Sequence, residues 1–215
     1  MPSYVRPVVA DQVFRDAAGG VIAYGDRWGD GSPPEDSYSV TDHPERFAPL
    51  HPVADALVDH LVATYDVEVL DDVATAGDLL RPPDDAVRSV RLSPRAADAA
   101  SLTVVWTLDP AVVVHAGLLH DFGFPACACD ACDETWQTQA TELELHVTAV
   151  VAGRFGERVT RGPRPWVHYA MADDEGSVSS GGVVATGVPA ARRRAARARL
   201  RTLAGPWAPW PVRAT

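Results

Sequence analysis

Between residues 87 and 119 the apolar side chains are closely spaced and rich in valine, the pattern of extended chain. From 133 to 153 they fall on a 3.6-residue period, the pattern of a helix with one buried stripe. The chain must therefore turn from strand to helix inside one stretch, HAGLLHDFGFPACACDACDE at 115–134. That stretch also holds all three cysteines, two of the seven histidines and three aspartates. Whatever this protein folds into has to accommodate that junction.

On the strand side, the pattern predicts strands over 87–92, 102–108 and 111–119, with Asp109-Pro110 marking a tight turn between the last two. No crossover helix separates them, so they form an antiparallel meander. On the helix side, Trp136, Ala140, Leu143, Val147, Val150 and Val151 make the stripe. Asp130 or Asp133 is placed to cap that helix, and Glu134 suits its positive end.

The flanks are read in the same way. Residues 8–18 predict a short helix stopped by Gly19-Gly20, and 21–24 a short strand. Residues 25–46 are dominated by Gly, Pro, Ser, Asp and Glu, a loop long enough to require a reason, with Trp28 and Tyr38 as its candidate anchors. Leu50, Val53, Leu57, Leu61 and Tyr65 place a helix over 52–65, with Pro52 in its first turn. An edge strand at 67–70 and one helical turn at 75–80 follow. Residues 154–165 read as a basic, Gly/Pro-rich connection, 166–171 as a strand, and 177–185 as a weak returning strand. An arginine-rich helix over 189–204 precedes a proline-tryptophan tail. The fold class is α+β, an antiparallel sheet packed against two main helices, with the cysteine loop joining strand to helix. Residues 1–188 form the core domain, and the helix and tail at 189–215 pack on it.

All nineteen basic residues are arginine; lysine and asparagine are absent, and Ile22 is the one isoleucine. Such omissions reflect a GC-rich coding bias, so arginine abundance is not read as ligand chemistry. A net charge of −10 argues against non-specific attraction to nucleic acid or an anionic membrane. The charge is divided: residues 1–185 carry −17 and residues 186–215 carry +7, so the tail can dock on its own domain or on an acidic partner. No run approaches the ~18 apolar residues that span a bilayer, and the first twenty residues lack the apolar region of a signal peptide. A cytoplasmic protein is expected, and clustered cysteines in a reducing compartment point to metal or redox chemistry.

Cys127, Cys129 and Cys132 spell CxCxxC, a spacing that lets one loop present three thiolates, which are preferred zinc ligands. The acids at 130, 133 and 134 would repel bare thiolates, and a cation offsets that repulsion. His120 is the expected fourth ligand, ahead of His115 and Asp130, because strand parity would put His115 on the opposite face. The motif lacks the duplicated CxxC of a strong zinc signature, so inert thiols and a redox pair stand as alternatives. His115 reads as a hydrogen-bonded sheet histidine, and Glu142 with His146 as a solvent-facing pair. Ser179-Ser180-Gly181-Gly182 lacks the context of a phosphate loop and reads as a flexible turn. The arginines of the last helix read as stems over apolar surface with heads paired to the acidic body.

YVRPVVADQVFRD, Tyr24-Gly25-Asp26-Arg27-Trp28-Gly29, Pro34-Glu35-Asp36-Ser37-Tyr38, His43-Pro44-Glu45-Arg46-Phe47, the 115–122 segment and CxCDACDE together resemble an uncharacterised family of actinobacterial proteins, a domain of unknown function. The resemblance covers most of the chain and implies a small cytoplasmic protein. It carries no activity, cofactor or catalytic residue. Three functions follow from the residues: a zinc-stabilised binding or regulatory module with a protein partner, a metal-dependent hydrolase with an open zinc position, and a thiol redox protein.

Overall fold

The computed structural model describes residues 4–10, 12–173 and 175–214. Its centre is a five-stranded antiparallel sheet, β3 (Val67–Asp71), β4 (Ala86–Pro94), β5 (Leu102–Thr107), β6 (Val112–Ala116) and β7 (His120–Phe124), in that spatial order. Every residue of β5 is buried, as befits a middle strand covered on both faces. One face, carrying Leu92, Leu102, Val104, Val112, Val114 and Phe124, packs against α1 (Leu50–Thr64) and α2 (Trp136–Val151). Burial of a Leu, Val or Phe side chain there contributes about 1.5–3 kcal/mol. Val105 and Val113 point the other way, onto Ala76 of a 3₁₀ turn at Val73–Asp78 and onto Leu79, which ends that turn.

A second antiparallel sheet, β8 (Phe155–Val159), β9 (Trp166–Ala172) and β10 (Val178–Val184), packs against α2 and against α3 (Ala190–Leu200). The chain is thus one α+β domain with antiparallel sheets. Near its start, β1 (Phe14–Arg15) and β2 (Val21–Ile22) form a small hairpin. The helix expected over 8–18 does not form among the described residues of that stretch. Asp16 instead builds a turn, its carboxylate accepting from the Ala18 and Gly20 amides, local bonds that compete with a helix.

The tail runs extended against the body. Trp207 and Trp210 are buried in the main core, and the Trp210 indole donates to the Ala100 carbonyl at 2.8 Å. Its backbone bridges at Ala99–Ala208 and Tyr65–Val212 tie it to the chain on either side. The arginines of α3 differ from expectation: Arg192, Arg193, Arg197 and Arg199 donate to backbone carbonyls, and among the described residues none of them is ion-paired. Arg192 reaches the Asp78, Leu79 and Leu118 carbonyls, which caps ends of other elements with one fork.

Candidate metal centre

The expected strand over 111–119 is two strands. β6 stops at Ala116, Gly117 turns with φ +65°, and β7 returns with His115 opposite Asp121 and Ala116 opposite His120. A Cβ at 117 would overlap the Glu157 carboxylate, so only glycine fits there. Glu157, with a side chain wholly inaccessible to solvent, lies in β8, within the stretch expected to be a connection. Its carboxylate accepts from the Leu118 amide (3.0 Å), the Leu119 amide (2.9 Å), His120 Nδ1 (2.7 Å) and the Trp207 indole (3.0 Å). One buried charge therefore fixes the hairpin turn, a histidine and the tail together.

After β7 the chain enters the cysteine loop through a cis Phe124–Pro125 bond. Asp130–Cys132 forms a 3₁₀ turn, Asp133 closes it in the left-handed region (φ 50°), and α2 begins. The cap of α2 is Thr135 in a capping box with Thr138, not Asp130 or Asp133. Both aspartates are committed elsewhere. Asp130 is buried, faces Arg46 at 3.4 Å and Arg27 at 3.3 Å, and its amide donates to the Val40 carbonyl at 2.7 Å. Asp133 Oδ2 accepts the Arg27 amide at 2.7 Å.

These contacts explain the long loop at 25–46. Arg46, 2% exposed, donates to the Ala128 carbonyl at 2.7 Å and lies 4.3 Å from the Tyr24 ring centre and 4.5 Å from that of Phe47. Arg27 sits over Tyr24 and Trp28 at 5.0 and 4.7 Å. Each cation gains a few tenths to about 2 kcal/mol from the ring beneath it. Thr41 donates to the Ala128 carbonyl at 3.2 Å. The loop is the frame around the cysteines, anchored by Arg27 and Arg46 with Trp28, whereas Tyr38 is 56% exposed. Arg27, Arg46 and Tyr24 carry no metal-ligand signal; their trace in the sequence is an arginine beside an aromatic in YGDRWG and HPERF.

Within that frame, the Cys127, Cys129 and Cys132 sulfurs all lie within 4.8 Å of one another. Cys127 to Cys129 is 3.2 Å and Cys129 to Cys132 is 3.4 Å. Three thiolates at ~2.3 Å from a tetrahedral zinc would stand about 3.8 Å apart, so a small relaxation of the loop suffices. Cys127 and Cys132 are exposed and Cys129 is partly covered. Hydrogen bonds from the Cys127 and Cys132 thiols pull the Cys129 thiol down to about 7. Hydrogen bonding with Cys127 and then Cys129 pushes the Cys132 thiol up to about 12. The three thiols are thus linked to one another and close enough together that they could hold one metal ion.

Among the described residues the three cysteines form the cluster alone. The structure does not bring His120 to the sulfurs: the hairpin swings it under Glu157, among Phe155, Phe122 and Tyr169. His115 Nδ1 pairs with Asp121 Oδ1 at 2.5 Å, and its Nε2 accepts from Arg192 at 3.1 Å, a satisfied sheet histidine. His146 donates to the Glu142 carbonyl at 2.8 Å and rests on Phe122 and Phe124; the Glu142 carboxylate stands 3.9 Å away. Ser179 to Gly182 belong to β10, and the rings of Tyr169 and His168 lie so close over Gly181 and Gly182 that a Cβ would meet them at 2.7 and 2.6 Å. Among the described residues no helix is long and apolar enough to cross a membrane.

No curated protein matches the sequence and no solved structure matches the fold. A family profile does match, over residues 10–214, and its span takes in the arginine frame, the hairpin, the cysteine loop and the tail. The chain belongs to DUF6226, a family of unknown function.

Proposed function

We propose that Cys127, Cys129 and Cys132 hold a zinc ion as thiolates and that the protein is a zinc-stabilised binding or regulatory module. The observation that carries this reading is the convergence of three sulfurs within 4.8 Å on a loop clamped through buried Asp130 by Arg46 and Arg27. A frame of that kind sets ligands in place before the metal arrives, which lowers the ordering cost of binding. Thiolates select a soft divalent ion, and zinc suits a surface loop with no redox partner beside it. His120 is held by Glu157, so in this reading water or a group from a protein partner fills the fourth position. The cytoplasm is the compartment in which such exposed thiols stay reduced.

The open position also admits hydrolysis. None of the five cavities described in the fold is lined by a cysteine, which favours the binding reading. Elemental analysis of freshly purified protein tests the proposal, alongside peptide mass spectrometry of the thiols. About one zinc per chain, lost in Cys129→Ser, supports it. A metal-free protein with a Cys127–Cys129 or Cys129–Cys132 disulfide replaces it with the redox reading.

A further inference from the structure

Away from the arginine frame of the cysteine loop, His120 lines a cavity and has a buried ring nitrogen without a hydrogen-bond partner among the described residues. His120 is 7% exposed. Its Nδ1 faces the Glu157 carboxylate, and because that carboxylate already accepts two backbone amides and an indole, it is the acceptor and Nδ1 carries the proton. In the neutral tautomer with the proton on Nδ1, the lone pair is on Nε2, and Nε2 has no hydrogen-bond partner among the described residues. Buried polar atoms are satisfied in more than nine cases in ten, so one held in a fixed orientation beside a cavity has a claim to a ligand.

The cavity that His120 lines has a volume of about 300 Å³ and lies between β7 and β10. Its walls are mostly apolar, with Leu80, Leu119, Phe122 and Val183 among them. Three of the other polar residues that line it have distinct roles. Asp121 is spent, with Oδ1 on His115 and Oδ2 on the Leu80 and Arg81 amides. The Tyr169 ring packs edge-on against His120, 5.4 Å between centres. The Arg81 side chain is exposed on the cavity's border, with no partner among the described residues. A lining histidine with an unpartnered ring nitrogen, an exposed cation on the border, the Thr186 hydroxyl and largely apolar walls make the composition of a small-ligand site.

We infer that this cavity binds a small, largely apolar organic acid that also bears a hydroxyl, the hydroxyl donating to His120 Nε2 and the carboxylate meeting Arg81. The acid explains the cation, and the hydroxyl explains the lone pair. Glu157 acts as a positioning residue, because it sets the tautomer that leaves Nε2 free. The site is separate from the zinc reading, since none of its residues belongs to the cysteine cluster.

4-Hydroxybenzoate, benzoate and phenol are suitable probes, read by long-range ¹H–¹⁵N correlation of the His120 ring in the full chain. The expected result is a saturable Nε2 shift with 4-hydroxybenzoate at millimolar concentration, with at least fivefold weaker binding of benzoate and phenol. His120→Asn keeps a donor toward Glu157 and removes Nε2, and it should lose the preference for the hydroxyl. Arg81→Ala removes an exposed, unpaired charge, so it leaves the fold intact and should weaken both acids without affecting phenol. No saturable shift with any probe, or an unchanged hydroxyl preference in His120→Asn, overturns the inference. Equal acid affinity in Arg81→Ala overturns the role of the cation. Because the readout does not involve the cysteines, its failure leaves the zinc reading standing, and a metal-free protein leaves this site standing.

Discussion

Replacing Glu157 should do more damage than any other single surface-distant change outside the apolar core. The carboxylate is wholly buried and accepts four hydrogen bonds, from Leu118, Leu119, His120 and Trp207. Glu157→Ala strands all four donors. A buried donor left unmet costs about 1–3 kcal/mol, and donors grouped around one vacated site share any water that enters it. The expected loss is about 3–5 kcal/mol, the range seen when one partner of a buried polar pair is removed. Glu157→Gln keeps the shape and one carbonyl acceptor but turns an amide NH₂ toward other donors, for a loss of about 1–3 kcal/mol. Urea unfolding followed by circular dichroism gives both values, and Trp207 fluorescence should shift to the red as its indole loses its acceptor. Against a total stability of about 5–15 kcal/mol, the alanine variant stands near its limit at room temperature. If both variants unfold within about 0.5 kcal/mol of the parent, the size of a neutral surface change, the carboxylate does not hold these elements together.

Gly117→Ala places a side chain at φ +65° and against the same carboxylate, so a loss of at least about 2 kcal/mol is expected in the same urea assay. Burial pushes the Asp78 carboxyl up, but the bonds from Arg91 and Thr103 outweigh it and hold the carboxyl below the usual range. The folded pKa is thus lower than the unfolded one, so the contribution is present above about pH 4 and is lost as pH falls below it. Asp78→Asn should flatten that acid limb in thermal melts between roughly pH 5 and 2, and an unchanged limb would exclude the pair as its cause. Asp130→Asn removes the charge that Arg27 and Arg46 share, and competition with a chromophoric chelator should show about 10–100-fold weaker zinc binding, the usual effect of losing an outer-shell partner.

The parts of the fold that were legible are those whose pattern and burial coincide. The stripe of α2 from Ala140 to Val151, the valines of β5, and Val112 and Val114 of β6 are buried where the periodicity puts them, with Trp136 and Val113 partly so. Two strands were not legible for one physical reason: their function puts polar or small residues where a strand pattern expects apolar ones. β8 carries Gly156 and the buried Glu157 in five residues, and β7 carries His120, Asp121 and Gly123. The turn between β6 and β7 is made of Gly117, Leu118 and Leu119, whose apolar character disguised it as continuous strand. A turn this apolar is stable because Glu157, forty residues away along the chain, supplies its acceptor, and no local pattern encodes that.

The site divides in the same way. Three cysteines in one loop are a local feature and were visible in CxCxxC. The fourth ligand depended on whether residues 117–119 were strand or turn, and the turn sends His120 to Glu157. The frame from Tyr24, Arg27 and Arg46 is contributed by residues some eighty to one hundred positions earlier, so no spacing rule reaches it.

Metal content of the freshly purified chain tests the central claim most directly. The account predicts about one zinc per chain, retained through gel filtration, released by a strong chelator with a drop in melting temperature, and absent from Cys129→Ser. A protein that emerges without metal, shows three titratable thiols and binds no added zinc with its melting curve unchanged would contradict it.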